Sequence, residues 1–403
     1  MALANAGFAV EAVCPSGHPL GTTSIVGRTH SYRGLWPLAS FGSAIVSARP
    51  DIIVPADDLA ASHLHRLHGQ GSGRGGSGAA ICALIERSLG APESFPVLFA
   101  RTSFLELSRE LGVRCPKTEV VTSVDDLRTC AAGMGYPLVL KADGSSGGNG
   151  VSIVRTFDET EHAFRKLSAP PLLARAVKRT LLDRDSTLLG RSLSRVRSVV
   201  NAQAFVAGRE ATSAIACWKG TVLASLQFEV AQKAKSAGHA TVVRVIENEE
   251  MSFAAEQIAR RLHLSGLHGL DFMIEASTGR AHLIEINPRA TQVGHLALGP
   301  QCDLPAALYA AVSGKALNPA PKITENDTIA LFPQEWIRDV SSPFLLSGYH
   351  DVPWQEPNLV RACVLSHRRQ AAWYSRRTAF SHGSAAGSGV PLTQEQESPP
   401  LTR

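Results

Sequence analysis

The sequence predicts a mixed α/β and α+β chain of two or three subdomains with a cleft between lobes. Three observations carry this expectation. At 403 residues the chain is longer than one small core serves. Its first hundred residues read as a doubly wound α/β unit. Farther along, two strand pairs carry a glycine-rich turn and a row of acids. With 44% apolar and 19% charged residues the composition is globular, which confines disorder to local segments.

The elements follow in order. Met1-Ala2-Leu3-Ala4-Asn5-Ala6-Gly7 reads as a short helix stopped by glycine, and Phe8 to Val13 as a strand. A doubly wound unit normally opens on a buried strand, so the chain is expected to start late within its natural product. Ile52-Ile53-Val54-Pro55 reads as a short buried strand, with Asp57 and Asp58 beyond its C-terminal end, where open α/β sheets place ligands. Helix N-capping is an equal alternative for those two acids. Residues 69–78, GQGSGRGGSG, read as a flexible loop; no strand-to-helix turn and no following Lys-Ser/Thr supports a phosphate cradle there. Residues 101–112 read as a helix with Phe104, Leu105, Ser108 and Leu111 on one face and Gly112 as its stop. A strand at Thr118 to Val121 ends the connector.

Several function classes are disfavoured by what the chain lacks. Cys14, Cys82, Cys115, Cys130, Cys217, Cys302 and Cys363 are odd in number and never spaced CxxC, which argues against a disulfide framework or zinc site and fits a reducing cytosol. No apolar run approaches the roughly 20 residues of a membrane span, so a cytoplasmic protein without membrane partners is expected. The net charge of +5 is modest, and residues 175–197 hold seven basic residues against Asp183 and Asp185. That run reads as a solvated helical face and linker, or as a surface for phosphates. No nucleic-acid module accompanies it. No GxGxxG follows a strand, which disfavours a nicotinamide dehydrogenase.

The stretch YPLVLKADGSSGGNGV, residues 136–151, is a buried strand, a lysine, a Gly/Ser loop and the start of a second strand. Gly144, Gly147, Gly148 and Gly150 allow the backbone to turn and aim N–H groups at phosphate oxygens. Ser145 and Ser146 lie in the same loop, and Lys141 is expected at the surface as a point charge reaching a phosphate.

Side-chain parity makes a second hairpin informative. Gly269 to Glu275 and Ala281 to Arg289 flank a turn at Ser277-Thr278-Gly279. A three-residue loop with Gly279 left-handed sets Ala276 against Arg280 and Asp271 opposite Glu285. Asn287 then shares their face, while Phe272, Ile274, Ile284 and Ile286 point to the core, with His282 on that core side. A two-residue turn would separate the carboxylates. Asp271, Glu285 and Asn287 form a hard-oxygen set suited to Mg²⁺ or Mn²⁺, Glu285 being the bridge if two ions bind; an exposed polar strand face is the alternative.

In order and spacing these two pieces, with NAQAFVAGRE between them, resemble the ATP-grasp superfamily. The resemblance is strong over 136–295 and reaches in outline over 1–315. It implies a Rossmann-like domain over 1–100, a small lobe over 101–200 and a large lobe over 201–320, with ATP held between the lobes. Gln203, Ala204, Phe205 and Val206 match the hinge strand that meets adenine, and Glu210 an acid on the ribose. An ordinary strand and turn is the alternative for both. Arg289 matches an arginine that stabilises the transferring phosphoryl group, or else makes a surface ion pair. Lys233 and Lys235 follow a strand where relatives place a phosphate contact, and neither is preferred. His268 and His295 are candidate substrate contacts.

The implied activity is an ATP- and Mg²⁺-dependent ligase. A carboxylate attacks the γ-phosphorus, and an amine or other nucleophile displaces phosphate from the acyl phosphate, with Lys141 and Arg289 offsetting charge. Its partners are small-molecule carboxylate and nucleophile substrates, and a homodimer is within what the resemblance allows. A non-catalytic ATP-binding regulator of the same fold is the rival. Residues 321–379, with Phe332, Trp336, Trp354 and Trp373, read as a C-terminal cap packing aromatic rings on the body; 380–403 read as a disordered tail.

Overall fold

The computed structural model describes residues 1–71, 76–143, 150–169, 198–234 and 238–365. The chain opens with α1 (Ala2–Asn5), then β1 (Glu11–Cys14) and β2 (Arg28–Ser31), which pair in parallel as a two-stranded sheet. Helices α2 (Pro37–Ala48), α3 (Asp58–Gly71) and α4 (Ser77–Leu89) follow. Short α5 (Phe95–Phe99) leads into α6 (Arg101–Glu110).

Two expectations for this region are corrected. Residues 52–55 are not a strand; the Ile53 N–H donates to Ser88 Oγ and the Pro55 carbonyl accepts from Ala290 N–H, so their backbone groups bond outside any ladder. Apolar residues placed there pack as an extended linker. Of the doubly wound sheet expected there, the described residues show only the parallel pair β1 and β2. Residues 69–71 belong to α3, where a Cβ on Gly71 would come within 2.7 Å of Cys82 Sγ. Glycine serves close helix packing at that point; residues 72–75 lie outside the described residues.

The smaller sheet is β3 (Thr118–Val121), β4 (Leu138–Ala142), β5 (Val151–Val154) and β6 (Val200–Ala204), antiparallel in the order β3-β6-β4-β5. Helices α7 (Val124–Met134) and α8 (Phe157–Ser168) cover one face and enclose a separate core of Leu127, Leu138, Leu140, Val154 and Ala202. Ser123 and Asp126 close α7 with a reciprocal capping box, which fixes where that helix starts.

The larger sheet contains β7 (Gly208–Trp218), β8 (Thr221–Lys233), β9 (Ala240–Val245), β10 (Gly266–Glu275), β11 (Ala281–Asn287), β12 (Thr328–Leu331) and β13 (Tyr349–Asp351). Its order is β11-β10-β7-β8-β9-β12-β13. Strand alternation sorts its residues onto two cores. Ile215, Leu270, Phe272 and Leu283 face α9 (Glu249–Arg261) together with Phe104 of α6 and Ile85 of α4. Leu226, Phe228 and Leu267 face α10 (Leu304–Ser313) on the other side. Each such side chain, fully buried, contributes about 1.5–3 kcal/mol. The C-terminal stretch extends this sheet through β12 and β13; Phe332 and Trp336 are partly buried there, whereas Trp354 is 72% exposed. Trp373 and the tail 380–403 lie outside the described residues, as does the basic run 175–197.

Candidate functional site

The β10–β11 hairpin sets Asp271 directly opposite Glu285, by a route other than the expected one. Glu275 N–H donates to Arg280 O and Gly279, at φ +71°, donates to Glu275 O, so the connection Ala276 to Gly279 has four residues. That shifts the outer pairs to Phe272 with Leu283 and Met273 with His282. A bulge at Ile284 then restores the register at Asp271 and Glu285. Leu283 therefore enters the core, and His282 lies on the side of Met273 with its Nε2 3.7 Å from Glu275, which corrects its expected core placement.

Asp271 is enclosed. It accepts from Thr212 Oγ1 and from Asn287 Nδ2, both at 2.9 Å. Burial first and the Glu285 charge second push its carboxyl well above the usual range. Glu285 is held below its usual range because Arg101 and Lys141 outweigh its burial. Two acids crowded in this way form a site that a divalent cation would relieve. Among the described residues no cluster of three or more His, Cys, Asp or Glu side chains could hold an ion. A cation here would therefore rest on Asp271, Glu285, an amide oxygen and oxygens brought by a ligand. The amide of Asn287 turns its nitrogen to Asp271 and its oxygen to Arg289 Nη2, at 3.1 Å, so it must rotate to offer oxygen beside Asp271.

Lys141 faces this hairpin from the smaller sheet. Contrary to the surface position expected, it is buried, since β4 is covered on both sides, and burial pushes its ammonium down to about 8. Glu285, Asp271 and Glu210 partly offset that cost. Gly144, Ser145, Ser146, Gly147 and Gly148 lie outside the described residues, as does Lys235. The Gln203 Nε2 donates to Thr118 Oγ1 inside the β3–β6 pair. Ala204 N–H donates to Lys117 O, whereas Phe205 is 36% exposed in the link to β7, next to Val206. Glu210 pairs with Lys233 Nζ at 2.7 Å, and both line a cavity of about 570 Å³ together with Arg338.

Arg289 is gripped by Asp58, with Nε to Oδ1 at 2.7 Å. Asp57 caps α3 through Ala60 N–H, so the paired acids serve one structural and one ionic role. His268 is buried, its Nε2 bonds Ser265 O, and burial lowers it to about 4. His295 pairs with Asp351 at 2.6 Å.

Five residues around the site escaped the sequence: Arg101, Thr102, Asp143, Asn201 and Thr212. Arg101 donates to Glu285 Oε2 at 2.7 Å and to Asp143 Oδ1 at 3.3 Å. Asn201 donates to Asp143 at 2.8 Å while accepting from Thr102 Oγ1, and Thr212 supports Asp271. Asp143 was findable, standing two residues past Lys141. Arg101 also left a signal, because a cation on the first residue of a helix opposes the macrodipole and needs a tertiary reason.

Residues 100–298 match the family model "Carbamoyl-phosphate synthase L chain, ATP binding domain". The arginine-specific large chain of carbamoyl phosphate synthase from Bacillus subtilis (strain 168) is 24% identical over 236 residues, 57% of this chain and 20% of its own length. The chain spans 15% and 20% of the length of two curated relatives it matches. A biotin carboxylase complex with β-γ-ATP from Campylobacter jejuni superposes with TM-score 0.56 at 13% identity, over 81% of this chain and 70% of that one. The biotin carboxylase domain dimer of Hydrogenobacter thermophilus 2-oxoglutarate carboxylase, solved with MgADP and bicarbonate, gives 0.54 at 14% identity, over 79% and 67%.

Proposed function

We propose that this chain, which over residues 100–298 belongs to the ATP-grasp superfamily, is an ATP- and metal-dependent ligase that activates a carboxylate for attack by an amine or other nucleophile. The observation that carries the reading is the convergence of Lys141 and Arg101 with the Asp271, Glu285 and Asn287 set. Asp271, Glu285 and, once its amide turns, Asn287 would hold Mg²⁺, which would supply charge neutralisation at the phosphates. The Phe205–Val206 link between β6 and β7 is the candidate contact for the base in this reading. Lys141 keeps its proton at neutral pH, so it offsets phosphate charge in the ground state and more strongly as charge builds on transfer. Arg289, positioned by Asp58 and Asn287, is the residue that stabilises the transferring phosphoryl group in this reading.

The substrates are a small carboxylate and a nitrogen nucleophile. Glu285→Gln keeps the shape and some nucleotide binding, yet lowers turnover by roughly a hundredfold or more, the scale of removing a preorganised charge-stabilising group. ADP formation is followed with candidate carboxylates in hydroxylamine, which traps an acyl phosphate as hydroxamate. No hydroxamate and no metal-dependent ADP from broad carboxylate pools, while ATP still binds, would replace this reading with the regulatory one.

A further inference from the structure

The Arg101 guanidinium sits between two acids of the candidate site. Its Nη2 lies 2.7 Å from Glu285 of the larger sheet and its Nη1 3.3 Å from Asp143 at the end of β4. Its Nε is buried and has no hydrogen-bond partner among the described residues. The residue opens α6, whose first turn carries no acid, so the helix dipole pushes the cation away. A bridge built only for rigidity would satisfy the whole planar fork and avoid the positive end of a helix. This one spans two sheets through one oxygen of each acid.

We propose that Arg101 is a built-in counter-cation: it neutralises Glu285 while the site lacks metal, and a divalent ion must displace it from Glu285 to bind. The inference rests on the metal-site reading above and adds an order to it. Metal entry breaks the Glu285 contact and leaves Arg101 attached to Asp143 alone, so the two sheets lose one ionic strap as the ion arrives.

The test is Mn²⁺ titration of the nucleotide-free full chain, read by the electron paramagnetic resonance of the free ion. Arg101→Gln is expected to bind Mn²⁺ roughly tenfold or more tightly than wild type, the scale of one charge-assisted hydrogen bond. Arg101→Lys, which keeps the charge, stays nearer to wild type. Equal or weaker binding by Arg101→Gln overturns the proposal, because Arg101 then only orders Glu285. Phenylglyoxal labelling of the unmutated chain, read by mass spectrometry, gives a second measure independent of how the variants fold: Mn²⁺ should speed modification of Arg101, and an unchanged or slower rate overturns the idea. If neither protein binds Mn²⁺ with or without ATP, the metal site itself falls. If Mn²⁺ binds with ATP but Arg101→Gln gains nothing, only the counter-cation idea falls.

Discussion

Lys141 is a charged side chain held inside the fold at a cost to the fold's stability. Its ammonium is buried and lowered from 10.5 to about 8. The charged form is still the main one at pH 7, and carrying it costs on the order of 3 kcal/mol. Because the folded value is the lower one, folding releases a proton between these limits. The cost is complete below about pH 8 and vanishes as pH rises toward 10.5. Lys141→Met should therefore be the more stable protein at pH 7 without nucleotide, and lose that advantage progressively up to pH 10.5. Urea unfolding at a series of pH values checks it; a difference that does not change with pH would refute the linkage. The same variant should bind ATP more weakly, which calorimetric titration with Mg²⁺ reads directly.

At the scale of the element, the β10–β11 hairpin was legible because a period-two pattern admits few registers. Asp271 opposite Glu285 followed from parity, but loop length and bulge were hidden: a fourth loop residue and an extra residue at Ile284 compensate each other. Sequence cannot separate these two changes, since only their sum fixes the inner pair. His282 was misplaced for that reason. The strand expected at 52–55 failed differently, because apolar residues in an extended linker look like a strand until their hydrogen-bond partners are known. Arg101 and Glu285 are 184 residues apart, and no local pattern joins them. The hairpin also sets the position of the loop after β11. A Cβ on Gly269 would come within 2.3 Å of Thr291 Cγ2, in the loop that follows Arg289. Gly269→Ala should cost about 1–3 kcal/mol by overpacking and lower turnover by displacing Arg289. Adding Thr291→Ser removes the obstructing methyl and should restore most of both; a double-mutant cycle showing simple additivity would sink the explanation. Gly208→Ala offers no such rescue, because its obstacle is the Ile274 carbonyl oxygen at 2.0 Å.

Across the whole molecule the two larger sheets differ in how they are anchored. The seven-stranded sheet is packed on both faces, and one of its cores also takes in Phe104, Leu105, Ile85 and Leu64 from the N-terminal helices. The four-stranded sheet has its own core, with α7 and α8, and meets the rest through polar contacts at Asp143, Asn201 and Arg101. Units with separate cores and few shared apolar contacts open independently. Amide hydrogen exchange of the nucleotide-free chain should therefore be faster in β4 and β6 than in β7 and β10. A ligand that bridges Lys141 and the Asp271–Glu285 pair ties the first unit to the second, so ATP with Mg²⁺ should slow β4 and β6 more than β7 and β10. The stabilisation follows mass action and should grow with the logarithm of nucleotide concentration above the dissociation constant. Uniform exchange in both sheets would show one cooperative unit. Protection confined to the larger sheet would place the nucleotide away from Lys141, and the cleft between the sheets would then not be where ATP binds.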